Sequence, residues 1–118
     1  MAWEVEGTDE FRAWYSALGD TECEAIDEAV AMLEQMGPIL GRPLVDTLQG
    51  SRLANLKELR PLGGSLRVLF VFDPRRSAIL LLGGDKAGQW QRWYVEMIPL
   101  AERLYAEYLA ELRREGLL

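Results

Sequence analysis

The sequence predicts an α+β domain: an N-terminal helical hairpin packed on a small antiparallel sheet, followed by a C-terminal helix. Three observations lead there. Apolar residues recur at helical spacing in two successive stretches near the N-terminus, each bounded by glycine. Two near-continuous apolar runs, Leu66-Arg67-Val68-Leu69-Phe70-Val71-Phe72 and Ala78-Ile79-Leu80-Leu81-Leu82, sit between tight-turn signals. A long helical pattern then closes the chain. With 118 residues, the whole of 1–118 fits one domain.

Trp3-Glu4-Val5-Glu6 alternates apolar and acidic residues, the period of a short half-buried strand, and Gly7 ends it. Thr8 or Asp9 caps a first helix whose apolar positions are Phe11, Trp14, Tyr15 and Leu18. After Gly19-Asp20, Thr21 with Glu24 reads as a capping box for a second helix, whose stripe is Ile26, Ala29, Val30, Leu33 and Met36. Gly37-Pro38 stops it, and residues 37–52, rich in glycine and proline, read as loop. Residues 55–62 form the first strand of a meander, with Leu56, Glu58, Arg60 and Leu62 on one parity and Asn55, Lys57 and Leu59 on the other. Gly63-Gly64 and Asp73-Pro74-Arg75-Arg76 turn the chain into the two apolar strands, which read as central with helices on one face. Gly83-Gly84-Asp85-Lys86-Ala87-Gly88 reads as a glycine-rich loop, and Pro99 as a kink or restart in the last helix. The expected order is β-α-α-β-β-β-α.

Composition narrows the function. The single cysteine, Cys23, has no internal disulfide partner, and there is no histidine, so the usual metal sites are missing and neither metal nor cofactor is expected. Cys23 lies between Glu22 and Glu24, which oppose a thiolate. No apolar run approaches the roughly 18 residues of a membrane span, and Met-Ala-Trp-Glu-Val-Glu has no signal-like character, so a soluble cytoplasmic protein without membrane contact is expected. The net charge of −6 argues against nucleic acid at first sight, but it is unevenly spread. Residues 1–50 carry −9, residues 51–92 carry +5 and residues 93–118 carry −2. The basic middle holds Arg52, Lys57, Arg60, Arg67, Arg75, Arg76, Lys86 and Arg92.

Two readings of that middle stand side by side. In one, Arg67 pairs with Glu58 across the hairpin, and Arg75-Arg76 occupy a solvated turn. In the other, the cations form a metal-free phosphate site that neutralises charge growing in a transition state. RNA supplies its own nucleophile, the 2′-hydroxyl. Without histidine, the proton-transfer group is then Lys, Tyr, Glu or Asp, and a lysine base needs neighbouring positive charge to depress its pKa. Lys57 is placed for this beside Arg60 and Arg67 only if a bulge or twist brings opposite strand faces together. Gly83-Gly84-Asp85-Lys86 lacks Walker-loop spacing and reads as a tight strand exit. Trp90, Trp93 and Tyr94 suit base stacking or, at helical spacing, core packing.

The segments Gly41-Arg42-Pro43, Val45-Asp46-Thr47-Leu48, Gly50-Ser51-Arg52 and Asn55-Leu56-Lys57-Glu58-Leu59-Arg60 resemble the HigB-like branch of the RelE/ParE toxin superfamily. Arg67-Val68-Leu69-Phe70, Phe72-Asp73-Pro74-Arg75-Arg76, Gly83-Gly84-Asp85-Lys86, Trp93-Tyr94 and Ile98-Pro99 extend the resemblance over nearly the whole chain. It implies a RelE-like fold and the toxin of a type II toxin–antitoxin pair, cleaving mRNA on the ribosome and thereby inhibiting translation. It also implies an antitoxin partner of helix-turn-helix, DNA-binding type. By position, it implies Lys57 for proton transfer, Arg67 for transition-state stabilisation, Arg60 and Lys86 as phosphate anchors, and Tyr94 for stacking or proton transfer. Arg52, Arg75 and Arg76 would grip RNA or the ribosome. The superfamily also contains binding-only members, so a gyrase inhibitor or a degenerate toxin retaining antitoxin binding is the alternative. The acidic overall charge departs from the basic character of many such toxins.

Overall fold

The computed structural model describes residues 2–88 and 90–118, with the side chain of Trp90 outside that description. Strand β1 (Val5–Gly7) leads into α1 (Asp9–Ser16) and α2 (Asp20–Met36). After a 3-10 turn at Gly37–Ile39 come β2 (Val45–Thr47), β3 (Lys57–Leu59), β4 (Leu66–Phe72) and β5 (Ala78–Asp85). Helix α3 (Trp90–Arg114) ends the chain. The five strands form one sheet in the order β1-β5-β4-β3-β2, antiparallel throughout except that β1 runs parallel to β5. This is the expected α+β architecture with one additional strand.

That strand, β2, lies in the stretch read as loop. Glycine and proline dominate its surroundings, and only its pairing with β3, Val45 opposite Leu59 and Thr47 opposite Lys57, makes it a strand. The first meander strand is correspondingly short, because Pro61 has no N–H to continue the ladder.

Helices cover both faces of the sheet, not one. The α1–α2 hairpin packs Phe11, Ile26, Ala29 and Leu33 against Leu59, Val68, Phe70, Ala78 and Leu80. On the other face Ala101 and Leu104 of α3 meet Leu56, Leu69, Val71, Ile79, Leu81 and Leu82. Two apolar layers explain why β4 and β5 read as continuous hydrophobic runs instead of alternating ones.

Local chemistry sets the helix boundaries. The hydroxyl of Thr8 accepts from the Phe11 N–H at 3.0 Å and caps α1. The second cap falls at Gly19, two residues before Thr21. The bonds Ala17 N–H to Trp14 O and Leu18 N–H to Tyr15 O close α1 and leave Gly19 extended, and its N–H donates to Glu22 Oε1 at 3.1 Å. Pro99 does not interrupt α3. Pro99 and Val95, whose carbonyl loses its i+4 donor, are both on the exposed side of the helix, so that oxygen is not sealed away from solvent.

Candidate functional site

Gly83 and Gly84 belong to β5 and are not part of a loop. Each is a seat for an indole. A Cβ on Gly83 would lie 2.2 Å from Trp14, and one on Gly84 would lie 2.5 Å from Trp93 Nε1. The two glycines therefore let α1 and α3 clamp the end of the strand from opposite faces, which a tight strand exit would not require.

A β-bulge decides which face carries which residue. Phe70 pairs with Leu80 but Leu69 pairs with Leu82, so Leu81 is an extra residue in β5. Before the bulge, even-numbered Ala78 and Leu80 face the hairpin layer; beyond it, even-numbered Gly84 lies opposite Arg67 and faces α3. Lys86 follows in the same phase, and its backbone N–H bonds Ser65 O at 3.2 Å. The bulge thus turns Lys86 toward the face of Glu58, Arg60 and Arg67.

Glu58 is the hub of that face. It is fully buried, its Oε1 accepts from Arg60 Nε at 2.8 Å, and its Oε2 accepts from the Tyr94 hydroxyl. Arg60 Nη2 also reaches Asp46 Oδ2 at 3.3 Å, and Arg42 Nη2 reaches the same oxygen at 2.9 Å. Arg67 is anchored through Nη1, which donates to Leu66 O at 2.7 Å and Gly64 O at 3.3 Å. Its Nε is buried and makes no hydrogen bond; Glu58 Oε1 is 3.8 Å away, an electrostatic neighbour only. The Lys86 ammonium stands 5.9 Å from the centre of the Tyr94 ring, and Trp93 meets that ring edge-on at 5.1 Å.

Proton equilibria follow from the crowding. Burial and the positive charge of Arg67 push the Lys86 pKa below the ordinary lysine value, with Glu58 partly opposing them. Burial and the bond to Glu58 raise Tyr94 to about 12, so its hydroxyl remains a donor at neutral pH. Asp46 is held below the usual aspartate range, chiefly by Arg42.

Of the residues nominated from sequence, Arg60, Arg67, Lys86 and Tyr94 come together. Lys57 does not join them. No bulge interrupts β3, so Lys57 shares the hairpin-side parity of Leu59, and its Nζ donates to Thr47 Oγ1 at 3.1 Å. Arg52 lies across a cleft from Tyr94. Arg75 and Arg76 occupy the far end of the β4–β5 hairpin, where the five strand residues 68–72, at about 3.3 Å each, separate them from Arg67. Arg75 bonds Asp73, Glu6 and Tyr108, and the Arg76 guanidinium lies 4.9 Å over the Trp3 ring. Trp93 is a packing residue on Gly84, and Trp90 is a nomination whose side chain lies outside the described residues. Both readings of Arg67 survive in part, since it neighbours Glu58 yet shares one face with Arg60 and Lys86 and keeps 13% side-chain exposure. Glu58 is the residue whose central place sequence reasoning missed; a carboxylate on the parity of apolar Leu56 was the available signal. Among the described residues, no group of three or more potential metal ligands converges, and no helix is long and apolar enough to cross a membrane.

What the arrangement can do is hold a phosphate. Three cations share one face with a single fully buried carboxylate, and a lysine of depressed pKa stands within reach of the tyrosine bound to that carboxylate.

Residues 13–106 match the family model described as phage-derived protein Gp49-like. HigB3 of Mycobacterium tuberculosis, named as a candidate toxin, is 52% identical over 97 residues, covering 82% of this chain and 85% of that protein. HigB2 of the same organism, also named as a candidate toxin, is 45% identical over 116 residues, 94% of this chain; the chain spans 56% of that longer relative. Among solved structures, isolated Escherichia coli RelE superposes with a TM-score of 0.61 at 12% identity, covering 82% of this chain and 99% of RelE. A chain of the Pyrococcus horikoshii RelE–RelB complex gives 0.60 at 18% identity, covering 75% and 99%. At such identities the likeness concerns the fold. With a family model spanning most of the chain and a relative 52% identical over 82% of it, the chain belongs to the Gp49-like family, within the HigB-like branch of the RelE/ParE toxin superfamily.

Proposed function

We propose that this protein is the toxin of a type II toxin–antitoxin pair and acts as a ribosome-dependent, metal-independent mRNA endoribonuclease that inhibits translation. The observation that carries the reaction is the convergence of Arg60, Arg67 and Lys86 on one sheet face around the Glu58–Tyr94 pair. The family relation supports the toxin role. The RelE–RelB complex among its structural neighbours supports an antitoxin partner, for which a helix-turn-helix DNA-binding protein is the expected type.

In this reading the RNA 2′-oxygen attacks the adjacent phosphorus, the bond to the 5′-oxygen breaks, and the products end in a 2′,3′-cyclic phosphate and a 5′-hydroxyl. Arg67, whose side chain keeps 13% exposure, and Arg60 neutralise the phosphoryl oxygens as charge develops. Neutral Lys86 takes the 2′-hydroxyl proton, and the leaving 5′-oxygen takes a proton from water. Glu58 is too deeply buried to meet substrate and positions Arg60 and Tyr94. This assigns Lys86 the proton-transfer role that the resemblance gave to Lys57.

The test is mRNA integrity in a purified translation reaction, mapped by primer extension. Discrete cuts that disappear when ribosomes are omitted, or when Arg67→Ala replaces the wild type, are the expected result. Intact mRNA with a folded, antitoxin-free protein would overturn the reading.

A further inference from the structure

A cleft of about 420 Å³ opens beside the cationic group, between the loop joining β2 to β3 and the first turns of α3. Its helix wall is apolar over Tyr94, Val95, Ile98 and Pro99 and ends in the carboxylate of Glu102, and Val95 is 74% exposed, an unusual position for a large aliphatic side chain. Its loop wall is polar, with the carboxamide of Gln49 and the guanidinium of Arg52. Tyr94 belongs to both places: its ring lines the cleft, and its hydroxyl bonds Glu58 at the hub of the phosphate site.

The loop wall is held in place. Oε2 of Glu102, on α3, accepts from Ser51 Oγ at 2.8 Å and from the Arg52 N–H at 2.6 Å, and Ser51 Oγ in turn accepts from the Leu53 N–H at 3.0 Å. Those bonds hold the Glu102 carboxyl below its usual range, so the clasp is charged and closed at neutral pH. Gln49 and Arg52 thus flank an anchored segment, and little ordering cost remains when they bind.

We infer that this cleft is a base-recognition subsite, and that it takes a purine of the RNA strand next to the phosphate held by Arg60, Arg67 and Lys86. The inference rests on the phosphate-site reading above. An apolar wall ending in a tyrosine and a proline accepts the flat face of a base, and base–aromatic stacking is sequence-tolerant. Selection comes from the opposite wall. Arg52 matches the O6 and N7 acceptors of guanine, and the Gln49 carboxamide matches the N6 and N7 edge of adenine. Pyrimidines lack the N7 acceptor that both pairings use, so they gain the stack without the edge contacts.

Two measurements on the full chain test this. In NMR titrations with the four nucleoside 5′-monophosphates, GMP and AMP should shift the Val95 methyl and Gln49 side-chain amide signals at concentrations about tenfold below those needed for CMP and UMP. The Gln49→Ala, Arg52→Ala double variant should reduce that ratio toward one. Equal responses to all four nucleotides, or shifts confined to the Arg60–Lys86 face, would overturn the inference. On translated mRNA, the wild type should cut beside purines about tenfold more often, near the low end of what one bidentate base contact provides. The double variant should spread its cuts, whereas an unchanged cut pattern would also overturn the inference. If wild-type protein leaves mRNA intact, the nuclease reading fails while the nucleotide titration still decides the cleft.

Discussion

Removing the Glu58 carboxylate should reveal how the phosphate face is held together. In Glu58→Ala the Arg67 side chain, 13% exposed, keeps its two carbonyl bonds but loses the carboxylate 3.8 Å from its buried Nε. Arg60 loses its 2.8 Å bond and retains Asp46 at 3.3 Å, and the Tyr94 hydroxyl loses its acceptor. Leaving one partner of a buried ion pair uncompensated costs about 3–5 kcal/mol, a large fraction of the roughly 5–15 kcal/mol that stabilises a domain of this size. Glu58→Gln keeps one oxygen to accept from Arg60 and turns its NH2 toward the Tyr94 hydroxyl, whose oxygen can accept, so its cost should fall to about 1.5–3 kcal/mol, the range of a hydrogen bond to a charged group. Urea unfolding with linear extrapolation measures both, with an unchanged m-value as the check that the denatured state is the same. In the Glu58→Ala, Arg67→Met double variant the two losses should not add, because both single changes remove the same Glu58–Arg67 interaction. A loss below about 1 kcal/mol for Glu58→Ala, as for a solvated surface pair, would refute the claim that this carboxylate compensates the burial of Arg67.

Four further outcomes are expected. Lys86→Arg should lower cleavage by at least about 100-fold, the low end of general-base contributions, and wild-type cleavage should rise with pH below the depressed Lys86 pKa; a flat pH profile would remove the lysine from proton transfer. Lys57→Ala should cut at close to the wild-type rate, because its ammonium lies on the hairpin side of β3; loss of cleavage would restore the sequence-based assignment. Gly84→Ala places a Cβ 2.5 Å from Trp93 and should cost about 1–3 kcal/mol by overpacking, whereas Gly41→Ala meets nothing within 4 Å and should be near neutral in the same denaturation assay. Tyr94 and Tyr108 are raised to about 12, mainly by burial. Their contribution is complete below pH 10, the ordinary tyrosine value, and is lost as pH rises toward 12, so their tyrosinate absorbance should grow in near pH 12 together with loss of far-ultraviolet ellipticity. Tyrosinate from these two near pH 10 in a still-folded protein would contradict that sign.

Much of the fold was legible because it rests on local pattern. The stripe Ile26, Ala29 and Leu33 and the runs in β4 and β5 announce buried faces that the structure buries. What was hidden depends on long-range partners. Val45–Thr47 is a strand only through β3, and Gly83-Gly84 read as loop because the two indoles that need those glycines come from α1 and α3. Pro99 carries a strong local breaking signal, but an exposed position within a long, well-packed helix overrides it. The site was half legible for the same reason. Arg60 and Arg67 were recognisable as members of the basic cluster on adjacent strands, and regular alternation already separated Lys57 from Arg60. Glu58 looked like a mere counter-ion, and the facing of Lys86 could not be counted from residue numbers across a bulge.

That extra residue also gives β5 an unequal tolerance to changes in length. Deleting Leu81 would sacrifice one buried side chain, but it would let Leu80 and Leu82 run straight along Phe70 and Leu69, with Gly84 still opposite Arg67 and Lys86 still in phase with it. Inserting a residue offers no such slack. The strand would have to bulge a second time or present Lys86 to the helical hairpin, with the indole seats displaced as well. A one-codon loss in this segment should therefore leave a better-organised active face than a one-codon gain, although point substitution would identify neither as special.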